Sequence, residues 1–298
     1  MSMSLEYGSS LPYHTNTMPK IEVNEEVFYT LAGRRWDNRD AGDSRRESLE
    51  EALTCAKAEL DEDSDKSLSP AERTLKIELN DTNRPDLWAT AGCARQLRIY
   101  NGGKRPDYPF FSAPGKPQKT KYKVLVEPSV KGVRPILAGF VASGKAISDA
   151  SLRDMIQTQE KLAWNFGRKR RTISMGLYRT AAITWPITYK AVDPDSVSFV
   201  PLQWELLGGA KHPLTLREIL KQHPKGKEYA FIQEHEPLHP LLVDAKGGVL
   251  SYPPIINSAD IGAVQVGDTD LFVELTGTDQ PWSAKSQATI DAARVTEG

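Results

Sequence analysis

The sequence is poor in cysteine and has no long apolar segment, and both absences restrict its class. Only two cysteines, Cys55 and Cys93, occur in 298 residues, which excludes a disulfide scaffold and a four-cysteine zinc site and fits a reducing compartment. The longest apolar segments, 135–144 and 181–187, are interrupted by Gly or Pro and fall well short of the ~20 residues of a membrane-spanning helix. The N-terminus has no basic-then-apolar signal pattern. We therefore expect a soluble, cytoplasmic protein.

Charge of neither sign is in excess. Lys and Arg total 38 and Asp and Glu total 39, for a net charge of -1. This balance excludes a globally basic nucleic-acid-binding protein, so any contact with RNA must come from a local patch. Hydrophobic residues make up 39% of the chain, which is the composition of a folded rather than a disordered protein.

Changes in composition divide the chain into four segments. Residues 1–17 are polar and without periodicity and are interpreted as a flexible leader, with Met18 as a second possible start. Residues 18–104 are expected to form a small N-terminal domain of helices and strands, followed by a proline-rich linker at 105–121. In residues 122–298 strands alternate irregularly with few helices. This order predicts an α+β fold with a mixed sheet in its second domain, not a doubly wound parallel sheet.

Periodicity and capping residues predict the individual elements. Helices are expected at 25–31, 48–60 (opened by a Ser44/Glu47 capping box), 87–100 (capped by Asp86), 149–165 (capped by Asp149 or Ser151) and 214–221. Strands are expected at 20–23, 74–79, 122–126, 136–143, 173–178, 187–191, 230–234, 241–244, 249–252 and 271–276.

One motif has the letters of a zinc site. The segment His235-Glu-Pro-Leu-His239 matches the H-E-x-x-H pattern of zinc peptidases, which requires both histidines on one face of a continuous helix. Pro237 lies between them and Pro240 follows, and a proline inside a helix costs about 3 kcal/mol. We therefore interpret the segment as a connection to a strand and expect no metal site.

A cluster of positive charge occurs in Gly167-Arg-Lys-Arg-Arg171, at the end of the long predicted helix. Cations are favourable at a helix C-terminus, where each contributes about 0.3–1 kcal/mol. The alternative is that Arg168, Lys169 and Arg171 contact RNA phosphates. The residues alone leave both interpretations open.

Two segments near the C-terminus place polar groups on a rigid or apolar support. Pro253-Pro-Ile-Ile-Asn-Ser258 fixes an amide and a hydroxyl behind two prolines, which suits a small polar ligand or a turn that ends a strand. Phe272-Val-Glu-Leu-Thr-Gly-Thr-Asp279 carries Glu274 on an otherwise apolar strand. A carboxylate in that position is either paired in the core or faces a pocket.

These segments, in this order, resemble the N-terminal part of the β subunit of phenylalanyl-tRNA synthetase in its archaeal and eukaryotic form. The resemblance covers roughly residues 20–279. It rests on Asn83-Arg-Pro-Asp-Leu87 with the following Gly92 and Arg95, on 152–170, on 249–258 and on 272–279.

The resemblance implies an editing module that hydrolyses tyrosine mischarged onto the phenylalanine tRNA, tRNA(Phe). Such a site is needed where the synthetic pocket cannot reject an analogue that differs by one hydroxyl. The implied substrate-binding residues are Glu274, which would read the tyrosine hydroxyl, Gln159, Arg170, Val249 and Asn257. Those implied for catalysis are Ser258, Thr278 and Asp279, with direct attack by water. Arg168, Lys169 and Arg171 would bind RNA, and no residue would bind a metal.

Other implications concern the rest of the enzyme. Aminoacylation would need the α subunit, in an α2β2 enzyme, with ATP and Mg²⁺ that belong to the whole synthetase; no cofactor is expected here. The chain ends at Gly298, before the domains that build the family's catalytic core, so we expect an expressed fragment or a free-standing relative of the editing module. Gln280-Pro281-Trp282 departs from the family pattern. The alternative function is a non-catalytic domain that binds tRNA or a subunit.

Overall fold

The architecture is α+β, as predicted. A computed structural model describes residues 20–36, 48–69, 72–80, 84–105, 121–205, 208 and 212–278, and this part contains six α-helices and thirteen strands. The predicted leader, all but the two ends of the predicted linker, and every residue from Asp279 onward lie outside these ranges. No helix in these ranges is long and apolar enough to cross a membrane.

The N-terminal part is a three-stranded antiparallel sheet covered by helices. Its strands are β1 (Lys20–Asn24), β2 (Ala58–Glu62) and β3 (Thr74–Leu79), in the order β1-β3-β2. Its helices are α1 (Glu25–Ala32), α2 (Leu49–Leu53) and α3 (Thr90–Tyr100). Alternation in β3 buries Leu75, Ile77 and Leu79 against the helices.

The helix predicted over 48–60 is too long. Ser48 forms a capping box with Glu51, but α2 ends at Leu53 and a 3₁₀ turn at Thr54–Ala56 follows. Lys57 then takes a left-handed conformation with φ of 50°, and the chain enters β2, which pairs with β3. Cross-strand pairing therefore overrides the helical propensity of this segment. The predicted capping pair Ser44 and Glu47 lies outside the described residues.

The second part contains two further sheets. The five-stranded sheet comprises β4 (Val124–Val126), β7 (Ile187–Val192), β10 (His239–Val243), β11 (Val249–Tyr252) and β12 (Ile256–Asn257), in the order β12-β11-β10-β7-β4. The second sheet comprises β5 (Ile136–Ser143), β6 (Ile173–Arg179) and β13 (Asp270–Gly277), with β13 in the centre. A short ribbon pairs β8 (Ser198–Phe199) with β9 (Leu214–Thr215). The helices of this part are α4 (Asp149–Asn165), α5 (Leu216–Gln222) and α6 (Pro224–Tyr229).

Two details of the second part differ from the sequence predictions. Residues 230–234 do not form a strand, because Pro224 starts α6 and the chain continues into a 3₁₀ turn at Ala230–Ile232. Helix α4 is capped by Ser148, whose side chain accepts a hydrogen bond from the Ser151 amide at 3.1 Å, and not by Asp149 or Ser151.

Helix α4 joins the two parts. Its Asp154 carboxylate accepts hydrogen bonds from the Thr90 amide (3.0 Å) and hydroxyl (2.6 Å) at the start of α3. This is the capping function that the sequence assigns to Asp86, which instead pairs with Arg84 and Arg95. One hydrophobic core accordingly includes apolar side chains of the N-terminal sheet, α4, β6 and β13.

The central strand β13 presents different chemistry on its two faces. Leu271, Val273 and Leu275 are buried on one face, and the last two belong to the core shared with the N-terminal sheet. Glu274 and Thr276 alternate with them on the opposite face, which lies against the five-stranded sheet. The fold therefore places a carboxylate and a hydroxyl between two sheets.

Candidate functional site

The most unusual group between the sheets is the Glu274 carboxylate. Glu274 is 2% exposed, and its Oε2 lies 2.7 Å from the Tyr178 hydroxyl, which also lies 2.8 Å from Oγ of Ser251 on β11. Among the described residues, Oε1 has no hydrogen-bond partner. Gly176, directly opposite on β6, makes this arrangement possible, because a Cβ there would overlap both the Tyr178 hydroxyl and Oε2.

The environment changes the acidity of these groups. Burial raises the pKa of Glu274 to about 7, against the opposing effects of the Tyr178 and Thr276 hydroxyls and the Arg134 charge. Burial, together with the Glu274 charge, also raises the pKa of the Tyr178 phenol well above its usual value. Glu274 therefore changes charge near neutral pH, while Tyr178 keeps its proton.

A buried arginine that sequence reasoning missed organises this region. Arg134 is 1% exposed, and its guanidinium donates to the Thr276 hydroxyl (3.0 Å), the Ser174 hydroxyl (3.2 Å) and the carbonyl oxygens of Thr276 (2.8 Å), Arg170 (3.2 Å) and Arg171 (3.0 Å). It therefore connects the face of β13 that carries Glu274 to the loop that follows α4. No motif surrounds Arg134 in the sequence, so only the tertiary structure reveals it.

That loop, residues 167–172, has an uncommon backbone. Arg168, Lys169 and Arg170 are three consecutive left-handed residues, with φ of 47°, 57° and 64°. For residues with a Cβ this conformation costs about 1–2 kcal/mol each, so other interactions must hold it. Gly167 starts the turn because a Cβ there would overlap the carbonyl oxygens of Ala163 and Ile173.

Arg170 supplies a large part of that support. Its guanidinium donates to the carbonyl oxygens of Pro254 (3.1 Å) and Ile255 (3.0 Å), pairs with Glu160 at 2.5 Å, and lies 4.2 Å from the Tyr229 ring centroid. The residue predicted to face the substrate thus holds the loop against the double-proline segment.

Gln159 and Asn257 both bind the outer edge of β6. The Gln159 amide donates to the Met175 carbonyl (2.8 Å), and the Asn257 amide donates to the Leu177 carbonyl (3.3 Å). Glu274 lies opposite Gly176, the residue between these two. Three predicted substrate-binding side chains therefore converge on residues 175–177.

The other predicted site residues hydrogen-bond or pack within the fold. The Ser258 hydroxyl accepts a hydrogen bond from the Gly262 amide (3.1 Å) and is buried. Val249, half-buried at the start of β11, packs against the apolar core that contains Tyr252. The Thr278 amide donates to the Thr172 carbonyl (2.9 Å), which ties the end of β13 to the loop after α4. Asp279 lies outside the described residues.

An open pocket of about 720 Å³ lies beside the same loop. We call it the cationic pocket, and its lining residues are Trp164, Asn165, Arg168, Lys169, Arg171, Thr172 and Phe231. All three predicted RNA-binding residues are therefore part of one concave surface.

The two histidines of the H-E-x-x-H motif have different environments. His239 is buried in β10, where Nδ1 lies 2.6 Å from the Tyr252 hydroxyl and burial lowers its pKa. His235 is exposed, and Nε2 lies 3.6 Å from a Glu234 carboxylate oxygen. The segment between them is irregular and not helical. In the ranges that the structure describes, no three His, Cys, Asp or Glu side chains form a group that could hold a metal ion.

Comparison with known proteins identifies the family, although no family model matches the chain. The phenylalanine–tRNA ligase β subunit of Treponema pallidum is 44% identical over 290 residues, covering 88% of this chain and 47% of that protein. The β subunit of Borrelia hermsii is 43% identical over 261 residues, covering 88% of this chain and 43% of that protein. A crystal structure of an N-terminal fragment of the phenylalanyl-tRNA synthetase β subunit from Pyrococcus horikoshii matches with a TM-score of 0.75 and 32% identity, over 91% of this chain and 74% of that one. The chain belongs to the phenylalanyl-tRNA synthetase β-subunit family.

Within this family the chain corresponds to the N-terminal part of the β subunit. It spans less than half the length of the two curated β subunits above. The resemblance inferred from the residues is thereby confirmed.

Proposed function

We propose that this part of the phenylalanyl-tRNA synthetase β subunit edits tRNA(Phe) by hydrolysing its ester with tyrosine. The observation that carries the proposal is the Glu274 carboxylate, which is buried and leaves Oε1 without a partner among the described residues. A buried acceptor of this kind is costly unless a ligand donates to it. The phenol of a tyrosyl ester supplies one donor at the end of an apolar ring.

This arrangement explains why the site would bind a tyrosyl ester in preference to a phenylalanyl ester. A site built around a substrate hydroxyl discriminates against the analogue that lacks it, because its own polar group stays unpaired. Phenylalanine would leave Oε1 of Glu274 unpaired in a buried place. The correctly charged tRNA(Phe) is therefore spared, and the mischarged one is hydrolysed.

For the chemical step we propose direct attack by water. Ser258 already accepts the Gly262 amide hydrogen bond, so we assign it to shaping the double-proline segment rather than to nucleophilic attack. Gln159 and Asn257 would position the substrate next to β6, and Thr278 and Asp279 would hold the ester or the water. Val249 would contact the apolar part of the substrate.

Arg170 would act on the substrate through the double-proline segment whose carbonyl groups it binds. Its loss should therefore reduce hydrolysis more than it reduces binding of tRNA.

For the complete enzyme we propose that this part supports aminoacylation of tRNA(Phe). That reaction would require the α subunit, in an α2β2 assembly, with ATP and Mg²⁺ bound elsewhere in the synthetase.

A second candidate is a non-catalytic domain that binds tRNA or another subunit. The observation that favours it is that Oε2 of Glu274 is already bound by the internal hydroxyl of Tyr178. In that case the polar groups between the sheets only stabilise the fold.

Deacylation assays separate the two candidates. The chain should hydrolyse tyrosyl-tRNA(Phe) much faster than phenylalanyl-tRNA(Phe), and Glu274→Ala should reduce this preference about 10- to 100-fold, the loss of one charge-assisted hydrogen bond. Glu25→Gln is a matched control, because Glu25 is equally buried but lies in α1 and pairs with Lys66. A wild-type chain that deacylates neither substrate would favour the non-catalytic domain. An unchanged preference in Glu274→Ala would remove Glu274 as the reader of the hydroxyl.

A further inference from the structure

The charges of the cationic pocket have no counter-ion in the part of the chain that the structure describes. Arg168, Lys169 and Arg171 are exposed, and no carboxylate of the described residues lies within 4.0 Å of their charged groups, whereas Arg170 between them pairs with Glu160. None of the lining residues is acidic. The pocket is therefore complementary to an anion.

Two of the residues that line the pocket, Trp164 and Phe231, are aromatic. Lys169 Nζ lies 4.9 Å from the Trp164 ring centroid, and the Arg171 guanidinium lies 4.7 Å from that of Phe231. Phe231 is 37% exposed, on the 3₁₀ turn after α6. A ligand that carries both an anion and a flat ring could contact both kinds of side chain at once.

The geometry of the pocket is fixed before any ligand arrives. Arg134 binds the carbonyl groups of Arg170 and Arg171, and Arg170 is itself anchored to the double-proline segment. Lys169 and Arg171, the neighbours of Arg170, consequently line the pocket from a constrained backbone. A preorganised backbone reduces the entropy lost on binding.

We propose that the cationic pocket binds an unpaired nucleotide of an RNA strand, with a phosphate on Arg168, Lys169 and Arg171 and a base stacked on Phe231. In a duplex the faces of each base are covered by the stacked neighbouring base pairs, and an acidic peptide would satisfy the cations but leave the ring without a stacking partner. The inference rests on the proposed function only in taking tRNA as the natural RNA. Its new element is that the contact is made to a single strand and through a base.

The test uses three fluorescent RNA probes with the complete chain. They are an unstructured nine-nucleotide single strand, a strand of the same length whose residues are abasic, and a duplex of the same sequence. Phe231→Ala should weaken the single strand about 5- to 150-fold, the range observed when one stacking ring is removed. It should leave the affinity for the abasic strand unchanged, because that probe has phosphates but no bases. Phe231→Trp should restore binding.

Leu238→Ala is the matched control, since Leu238 is similarly exposed, at 36%, but does not line the pocket. Three results would overturn the proposal: equal binding of the abasic and base-containing strands by the wild-type chain, no effect of Phe231→Ala on the single strand, or binding of the duplex at least as tight. None of the three depends on ester hydrolysis, so editing can fail in its own assay while this pocket is confirmed, and the reverse.

Discussion

Two polar regions of this chain meet at the loop after α4, and charged groups are buried in one region and exposed in the other. Between the sheets, Glu274 and Arg134 are buried, and Arg134 makes five hydrogen bonds. In the cationic pocket, Lys169 and Arg171 are exposed and without ion pairs among the described residues. A buried polar atom without a partner is costly in free energy, so Oε1 of Glu274, unpaired among the described residues, indicates a ligand-binding group by itself. Exposed cations without an ion-pair partner are common on protein surfaces. The pocket therefore indicates a binding site only because its cations are combined with aromatic rings.

The largest expected effect comes from breaking the connection between the two regions. Arg134→Ala should lower the free energy of unfolding by about 3–5 kcal/mol, because it removes a buried charged group and leaves several buried acceptors without donors. It should also weaken binding of single-stranded RNA, since the carbonyl groups of Arg170 and Arg171 lose their donor. Urea unfolding and the RNA titration described above measure both effects. If the RNA affinity stays at the wild-type value in folded Arg134→Ala, the two regions are independent.

The pH dependence of stability tests the buried region alone. The pKa of Glu274 rises from an ordinary 4.5 to about 7 on folding, so between these values the folded state holds a proton that the unfolded state has lost. Its contribution is fully present below pH 4.5 and is lost as the pH rises through 7, by at most about 3 kcal/mol. Glu274→Gln cannot release this proton. The difference in unfolding free energy between wild type and Glu274→Gln should therefore change between pH 4 and pH 8, and a constant difference would refute the burial argument.

Salt dependence tests the exposed region. Replacing Lys169 and Arg171 by Ala should reduce the slope of log affinity for tRNA against log salt by about 1 unit or more, because each phosphate contact releases counter-ions. Lys246→Ala, on the exposed turn between β10 and β11, should leave the slope unchanged. An unchanged slope in the double variant would favour the alternative interpretation, in which these cations only stabilise the C-terminus of a helix.

Chelation of metal ions is expected to affect hydrolysis only by removing the magnesium that tRNA needs to fold. His235 and His239 are separated by an irregular segment, and the His239 ring contacts the Tyr252 hydroxyl, so the two imidazoles are not arranged as in a helical zinc motif. Once magnesium is restored for tRNA folding, deacylation by the exhaustively chelated chain should match an unchelated control, and so should deacylation by His235→Ala. Activity that only zinc restores, and that His235→Ala and His239→Ala both lack, would contradict this prediction.

Local patterns predicted much of the fold because local interactions decide it. The alternation in 74–79 is that of a strand buried on one side, and the structure has β3 at those residues. The prediction of one helix over 48–60 was wrong because Ala, Glu and Leu favour a helix, while pairing with β3 makes 58–62 a strand. Propensity alone cannot foresee a partner that lies elsewhere in the chain.

The candidate site was predictable only where one residue was unusual in its own segment. Glu274 is noticeable as a carboxylate on an apolar strand, but Tyr178 and Ser251, which complete its contacts, follow no local pattern. Arg134 binds Thr276, 142 residues away, and nothing near Arg134 in the sequence indicates this. The anchoring of Arg170 was equally hidden, since exposed and buried arginines alternate within one basic run.

A crystal structure of the chain soaked with tyrosine at pH 8, where the Glu274 carboxylate is ionised, would show directly whether Glu274 binds the tyrosine hydroxyl. The phenol oxygen of the ligand should lie within about 2.6–3.0 Å of Oε1 of Glu274, and phenylalanine under the same conditions should bind with much lower occupancy. A tyrosine whose hydroxyl contacts other groups while Oε1 stays unpaired, or equal occupancy of the two amino acids, would contradict this role of Glu274.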